Sequence, residues 1–479
     1  MIRNRLLPGC CLLVVLAAGP VLAAEDGLDE VLSGFESDSA GQAVETPAGS
    51  GLDEVLGGFE GEAEQEPAKT ADRVLPGWLD LGGSLSVAGS VNFAHGAPAE
   101  NEPDYRGLSM LRTTGALECD VRLADWQLRI SGHLFYDGVY SLQGRGQYSD
   151  ELLDLYEQEL ELDETYLSGS LLPSLDLKTG RQIVVWGKSD NVRVTDILNP
   201  LDNRLPGMVD IKNRRLPVTM TRLDYYLGDW NLSGIMVHEV RFARNPVFNS
   251  DFFPGSSPLP PEQTPGWSLD NQQYGLALNG IFSGWDLSLY WARVYDDRSH
   301  LVMDEQGTPV RVHGRIGMLG LSGNVALGNW LLKGEGAWFD GLEYTSLPQQ
   351  EVSRLDLMAG IEYMGFSETV LSLELVNRHI LEYDAHLALS PDYLAEDSMQ
   401  AVAKLVRDFA NDTIQLKILL SVFGWHGEDG AFERFQLDYD LNDQLTLTGG
   451  IIFYQAADQG ALATIGDNDR LFFEISYEW

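Results

Sequence analysis

Cysteine is nearly absent. Three stand in 479 residues, at positions 10, 11 and 119. The first two fall inside an N-terminal leader, so Cys119 is single in the mature chain. That excludes an intrachain disulfide and a cysteine cluster for zinc, an iron–sulfur centre or c-type haem. Basic residues are scarce as well, 32 against 72 acidic, for a formal net charge of −40. Such a chain has no business on nucleic acid. Outside the N-terminus no apolar run approaches the ~20 residues of a spanning helix, which excludes helical membrane insertion. The mean hydropathy of −0.13 leaves barrel insertion open, because alternating strands average out near neutral. Histidines number 8. His133, His238, His300, His313, His379, His386 and His426 scatter over separate segments. Neither Gly-x-Ser-x-Gly nor Ser-x-x-His occurs. A catalytic nucleophile with an oriented base is therefore not expected, nor is a cofactor or a metal.

What is present begins with a secretory leader over residues 1–23. Arg3 and Arg5 form its charged start, Leu12 to Ala18 its short apolar core, and Val21-Leu22-Ala23 the small-residue cleavage site. Its removal takes the net charge to −42. Residues 24–76 then form an acidic arm, with 14 acidic residues against Lys69 and Arg73. Gly, Ala, Ser and Pro fill much of the rest, a composition that favours disorder. Within it, Gly27-Leu-Asp-Glu-Val-Leu-Ser-Gly-Phe-Glu36 recurs as Gly51-Leu-Asp-Glu-Val-Leu-Gly-Gly-Phe-Glu60. Leu28, Val31, Leu32 and Phe35 fall on one face of a two-turn helix, as do Leu52, Val55, Leu56 and Phe59. Two readings stand. One is a duplicated docking motif that folds in a partner's groove, with Leu28, Leu32, Phe35, Leu52, Leu56 and Phe59 as anchors. The other is a duplication in an unstructured tether.

The last eleven residues alternate cleanly. Leu471, Phe473, Ile475, Tyr477 and Trp479 share one face; Arg470, Phe472, Glu474, Ser476 and Glu478 share the other. A strand between lipid and water needs this pattern. An aromatic terminus on such a strand resembles the recognition signal of outer-membrane barrels, carried here by Phe473, Tyr477 and Trp479. An ordinary amphipathic strand end would look similar, and the rest of the chain decides. From Leu79 onward, alternating segments recur between turn signals. Ala124-Asp125-Trp126, Gly228-Asp229-Trp230, Ser283-Gly284-Trp285 and Gly328-Asn329-Trp330 repeat one pattern: a tight polar turn, then Trp at the interface. Long polar connections alternate with these short turns, at 95–106, 138–159, 187–216, 243–271, 296–313, 341–353, 381–397, 424–430 and 456–468. Nine of them imply an all-β, antiparallel transmembrane barrel of about 18 strands, within 16–18, over residues 77–479, with both ends periplasmic. A barrel of that size encloses a lumen.

Inward positions carry both signs, among them Arg129, His133, Lys178, Arg222, Asp224, Lys333, Glu335, Glu374, Lys404, Lys417, Arg434 and Asp438. They read first as structural ion pairs and second as a selectivity filter. The densest charge lies in the third long connection. It holds six basic residues (Lys188, Arg193, Arg204, Lys212, Arg214, Arg215) and four acidic ones (Asp190, Asp196, Asp202, Asp210). About thirty residues without structure would be unusual. A lid folded into the lumen is expected, with Arg193, Asp196, Arg204, Asp210, Lys212, Arg214, Arg215 and Arg222 at the pore. Whether it narrows the pore, binds an anionic group or merely satisfies itself through Arg–Asp pairs is left open by its residues. Connection 243–271, rich in Pro and aromatics, reads as a stiff surface loop with exposed apolar groups. Residues 150–160 read as a short helix.

Gly180-Arg-Gln-Ile-Val-Val-Trp-Gly-Lys-Ser-Asp190, then Arg193-Val-Thr-Asp-Ile-Leu-Asn-Pro-Leu-Asp202, then Arg222-Leu-Asp-Tyr-Tyr226, resembles a domain-of-unknown-function family of proteobacterial outer-membrane proteins. The resemblance covers most of residues 79–479. Lys188 departs from it, standing where an acidic residue belongs. Members are often encoded beside transporters of the resistance–nodulation–division (RND) type and a lipoprotein-like periplasmic partner, which implies export or lipid traffic. The expected function is a gated channel or conduit for a small or amphipathic, perhaps anionic, solute. A passive porin is the alternative within the class. An outer-membrane enzyme and a barrel sheath around a partner protein are the alternatives outside it. Expected partners are outer-membrane lipid and lipopolysaccharide, the barrel-assembly machinery, and a periplasmic protein or RND transporter.

Overall fold

The computed structural model describes residues 75–98, 102–255 and 257–479. The leader and both Gly-Leu-Asp-Glu-Val-Leu repeats lie outside the described residues. So do the anchors Leu28, Leu32, Phe35, Leu52, Leu56 and Phe59.

Alternation along the chain produces 18 antiparallel strands. They are β1 (Leu79–Asn92), β2 (Gly107–Leu123), β3 (Trp126–Asp137), β4 (Gln158–Leu172), β5 (Leu175–Gln182) and β6 (Val218–Leu227). Then come β7 (Trp230–Val237), β8 (Gln273–Phe282), β9 (Trp285–Met303), β10 (Pro309–Leu327), β11 (Trp330–Glu343) and β12 (Glu351–Phe366). The last are β13 (Thr369–Ile380), β14 (Asp397–Phe409), β15 (Ile414–Phe423), β16 (Ala431–Asn442), β17 (Leu445–Gln455) and β18 (Arg470–Glu478). Each strand pairs with its sequence neighbours, and β1 pairs with β18 from Ser84↔Glu478 to Asn92↔Arg470, which closes the barrel. No sheet edge is left to be satisfied in lipid.

Short turns gather at one rim and long loops at the other. Trp126, Trp230, Trp285 and Trp330 each begin a strand at the short-turn rim. Trp479 meets Gly83 there through paired backbone hydrogen bonds of 3.2 and 3.1 Å. Outward faces are apolar and exposed, with Leu85 on β1, Leu223 on β6, Leu289 on β9 and Leu357 on β12. Cys119 is partly exposed and shares this face with Leu117.

Two boundaries differ from expectation. The run 296–313 is mostly strand: β9 and β10 stay paired up to Met303↔Pro309 and leave only residues 304–308 as a turn. Above the membrane both faces of a hairpin are hydrated, so pairing continues where hydrophobic alternation stops. Loop 243–271 is not wholly a surface loop. Phe252 is buried against Tyr454, and Asp251 pairs with Arg470 at 3.0 Å, so its first part dips into the barrel mouth. Leu259, Trp267 and Leu269 stay exposed. The helix expected over 150–160 forms as α2 (Asp150–Tyr156), after α1 (Val139–Gln143), and stops short because Gln158 already opens β4. Ser149 caps α2 by accepting from Leu152 N, and Leu152, Leu153 and Tyr156 are buried.

Candidate functional site

Residues 183–217 leave β5, cross the lumen and return to β6, with α3 (Ile211–Arg214) near the end. The crossing begins apolar. Val184, Trp186, Val192, Val194 and Leu198 are buried against Met220, Tyr290, Met318 and Val376, which point inward from the wall. Trp186 stacks on Tyr290 with ring centroids 4.9 Å apart. Burying side chains of this size stabilises by roughly 1.5–3 kcal/mol each, so this part of the segment is a packed plug.

Two wall carboxylates latch it. Glu335 of β11, 6 % exposed, accepts from Ser189 N (2.7 Å), Thr195 Oγ1 (3.0 Å) and Thr195 N (3.3 Å), and also from Lys188 N. Glu374 of β13, 1 % exposed, accepts from Ser189 Oγ (2.8 Å), Asp190 N (3.0 Å), Asn191 N (3.2 Å) and Asn191 Nδ2 (3.3 Å). A carboxylate can be buried only when its oxygens are satisfied in this way. Both residues stand five positions in from the short-turn end of their strands, roughly halfway up the wall. Gly187, at φ +94°, makes room for the Glu335 latch: a Cβ there would lie 2.6 Å from Oε1. Lys188 pairs with Asp286 of β9 at 3.0 Å, and Lys333 of β11 pairs with Asp190 and Glu362.

Asn199 ties the start of the segment to its end. Its Oδ1 accepts from Val184 N, and its Nδ2 donates to Gln182 O and Leu216 O. Backbone pairing then makes a neck, through Leu216 N to Pro200 O (2.8 Å), the bridge Leu201↔Arg215, and Asp202 N to Arg214 O (2.7 Å). Beyond the neck, residues 202–214 project as a finger towards the opposite wall.

The eight residues expected at the pore divide among these parts. Asp196, 3 % exposed, pairs with Arg215 at 2.8 Å and with Arg193 at 3.4 Å, and Arg193 also donates to the carbonyls of Asp196 and Asn199. Arg204 pairs with Asp202 (2.6 Å) and with Glu159 of β4 (3.0 Å). Arg214 donates to Asp202 O and Asn203 Oδ1 at the neck. Lys212 is exposed on the finger, and Asp210 pairs with Arg434 of β16. Arg222 pairs with Asp224 on β6 at 2.8 Å, apart from the lid. Three of the lid's ion pairs are therefore internal, while others fasten it to the wall. Sequence reasoning missed Trp186 and Asn199 as lid residues and Tyr290 of β9 as the wall residue on which Trp186 stacks. It counted Glu335 and Glu374 as inward charges without seeing them as latches.

His238 lies between Thr221 (Oγ1 to Nε2, 2.9 Å) and Gln272 (Nδ1 to Oε1, 2.7 Å). Thr221 also bonds Thr179 across β5 and β6 at 2.9 Å, on the face shared with Leu177 and Leu223. On a lipid-facing surface, polar groups satisfy one another in this way.

The model of a protein family described as "Protein of unknown function (DUF1302)" matches residues 9–479. The chain belongs to the DUF1302 family. No curated protein matches the sequence. Among solved structures, this DUF1302 chain is similar to a BenF-like porin from Pseudomonas fluorescens Pf-5, at 12 % identity and a TM-score of 0.51, over 83 % of this chain and 98 % of that one. It is also similar to OccAB2 of Acinetobacter baumannii, at 11 % identity and a TM-score of 0.50, over 84 % and 98 %. OccAB4 of the same organism gives 11 % and 0.50, over the same shares. The fold is that of an outer-membrane porin barrel.

Proposed function

We propose that this protein is an outer-membrane channel for a small or amphipathic, anionic solute or lipid, gated by the lumenal segment 187–216. One observation carries the reading: a folded segment spans an 18-stranded lumen halfway up, held by buried carboxylates on the far wall. A barrel needing only a structural core would have no use for charged inner walls below such a plug. Lys178, Arg129 and Arg222 on the short-turn side of the lumen keep partial exposure. That is the wall a passing polar solute meets.

The short-turn rim and both barrel ends face the periplasm in this reading. The acidic arm then starts on the side where a periplasmic protein or an RND-type transporter would meet it. The chain is read as a conduit and not as an enzyme.

Purified protein in planar lipid bilayers tests the proposal. Discrete conductance steps are expected, and excising residues 190–212 should enlarge them. Silence both before and after the excision would sink the channel. Equal conductance before and after would leave a passive porin whose lid gates nothing.

A further inference from the structure

The lid is fastened unevenly. Residues 192–201 are almost all buried, whereas in the finger beyond the neck only Arg204 and Gly207 are. Val209 is 38 % exposed, and Lys212 and Asn213 are exposed too. At the finger tip Leu205 and Met208 pack beside the cluster of Phe252, Ile452 and Tyr454, and polar contacts with the wall add to that hold. Arg434 of β16 donates to Gly207 O (3.2 Å) and Met208 O (3.1 Å) and pairs with Asp210. Tyr454 of β17 donates to Pro206 O at 2.7 Å.

Asp210 has set its carboxylate into a cationic patch. Arg434 pairs with it. Lys404 of β14 stands level with Arg434 across β15, through Lys404↔Leu419 and Leu419↔Arg434, with Lys417 of β15 two residues on and facing the same side. Both lysines act on Asp210. Burial alone would push the Asp210 carboxyl up, but these cations hold it below the ordinary carboxylate value. The wall offers them little else. Lys417 reaches Asp438 at 3.4 Å, and among the described residues Lys404 has no carboxylate within ion-pairing distance. Beyond the finger lies a narrow cavity, with Arg112, Asp137, Asp251 and Arg470 on its polar side and Leu205 and Met208 of the finger on its apolar side. The plug, by contrast, packs its apolar side chains against inward-facing Met220, Tyr290 and Met318.

We infer that residues 202–214 are the moving part of the gate, and that Lys404, Lys417 and Arg434 form a binding site for an anionic group of the solute, a carboxylate or a phosphate, which displaces Asp210 and frees the finger. This rests on the channel reading above. Asp210 is a tethered stand-in for the solute: it neutralises the site when no solute is present and is exchanged for an equivalent charge when one arrives. The plug, latched by Glu335 and Glu374, stays in place throughout. The neck at Leu201 and Arg215 is where the motion ends.

The test uses full-length mature protein carrying Cys119→Ser, reconstituted in planar bilayers. An Asp210→Cys, Arg434→Cys pair is joined by a short bis-methanethiosulfonate linker. Conductance should vanish on crosslinking and return on reduction. A Lys188→Cys, Asp286→Cys pair pins the plug instead, and joining it should leave conductance as it was before the linker. In protein with Asp210 and Arg434 intact, inorganic phosphate added at constant ionic strength should raise the open-to-closed ratio by roughly tenfold, the factor that about 1.4 kcal/mol carries. Asp210→Ala should be open without phosphate, and Lys404→Gln, Lys417→Gln should not respond to it. Conduction through the crosslinked finger overturns the gate assignment, and so does indifference to phosphate in protein that conducts. Silence even after excision of 190–212 overturns the channel reading itself, and the gate with it.

Discussion

At the residue scale, the lid depends on two carboxylates that receive main-chain N–H groups. Glu374 accepts four hydrogen bonds from Ser189, Asp190 and Asn191, and almost none of it is exposed. Glu374→Ala leaves those donors without an acceptor in a confined site, at a cost of about 1–3 kcal/mol for each that water cannot reach. Glu374→Gln keeps an acceptor oxygen and loses the charge. The expected order of lid looseness is alanine, then glutamine, then the natural residue. Limited trypsin digestion reads it, since Lys188 and Arg193 flank the latch. Cleavage there should accelerate about tenfold or more for Glu374→Ala and less for Glu374→Gln. Equal cleavage in all three would mean that the apolar plug alone holds the lid. Asp196 shows why such roles escape a sequence. Its charge and its neighbour Arg193, three residues away, were legible, but Arg215 reaches it across 19 residues, where Asn199 brings residues 184 and 216 together.

At the element scale, β18 meets β1 through aromatics laid over glycines. Gly89 faces Phe473, and a Cβ there would come 2.4 Å from its ring; at Gly83 it would come 2.6 Å from the ring of Trp479. Gly89→Val and Gly83→Val should therefore weaken the closing seam, overpacking costing typically 1–3 kcal/mol at each. The gel-mobility shift between folded and heated barrel should be lost at lower temperature in both variants; an unchanged midpoint would show that the rings simply swing into lipid. Alternation made the strands legible, and Trp after a tight turn made the short-turn rim legible. Both signals come from the membrane boundary. Where that boundary ends, so does the signal, and so the run 296–313 read as a loop although Arg311, Val312 and His313 pair across to β9. The lid's apolar face was illegible for a related reason. Val184, Trp186 and Leu198 bury against inward side chains of Met220, Tyr290 and Met318, and a porin lumen is expected to be polar.

At the scale of the whole molecule, the described strands close the barrel among themselves. β1 begins at Leu79, and every ladder that seals the wall lies between there and Glu478. The repeats at 27–36 and 51–60 lie outside the described residues. If they are docking motifs, their removal separates two properties that would otherwise fail together. Deleting residues 24–62, with the leader kept, should leave heat-modifiable barrel in the outer membrane and should leave bilayer conductance unchanged. Crosslinking to periplasmic proteins in intact cells should fall to background. Replacing only Leu28, Leu32, Phe35, Leu52, Leu56 and Phe59 with serine should reproduce that loss, because an amphipathic helix docks through its apolar face while its acidic first turn steers the encounter. Crosslinking that survives both changes would return the arm to a plain tether and move the search for a partner to the short-turn rim of the barrel.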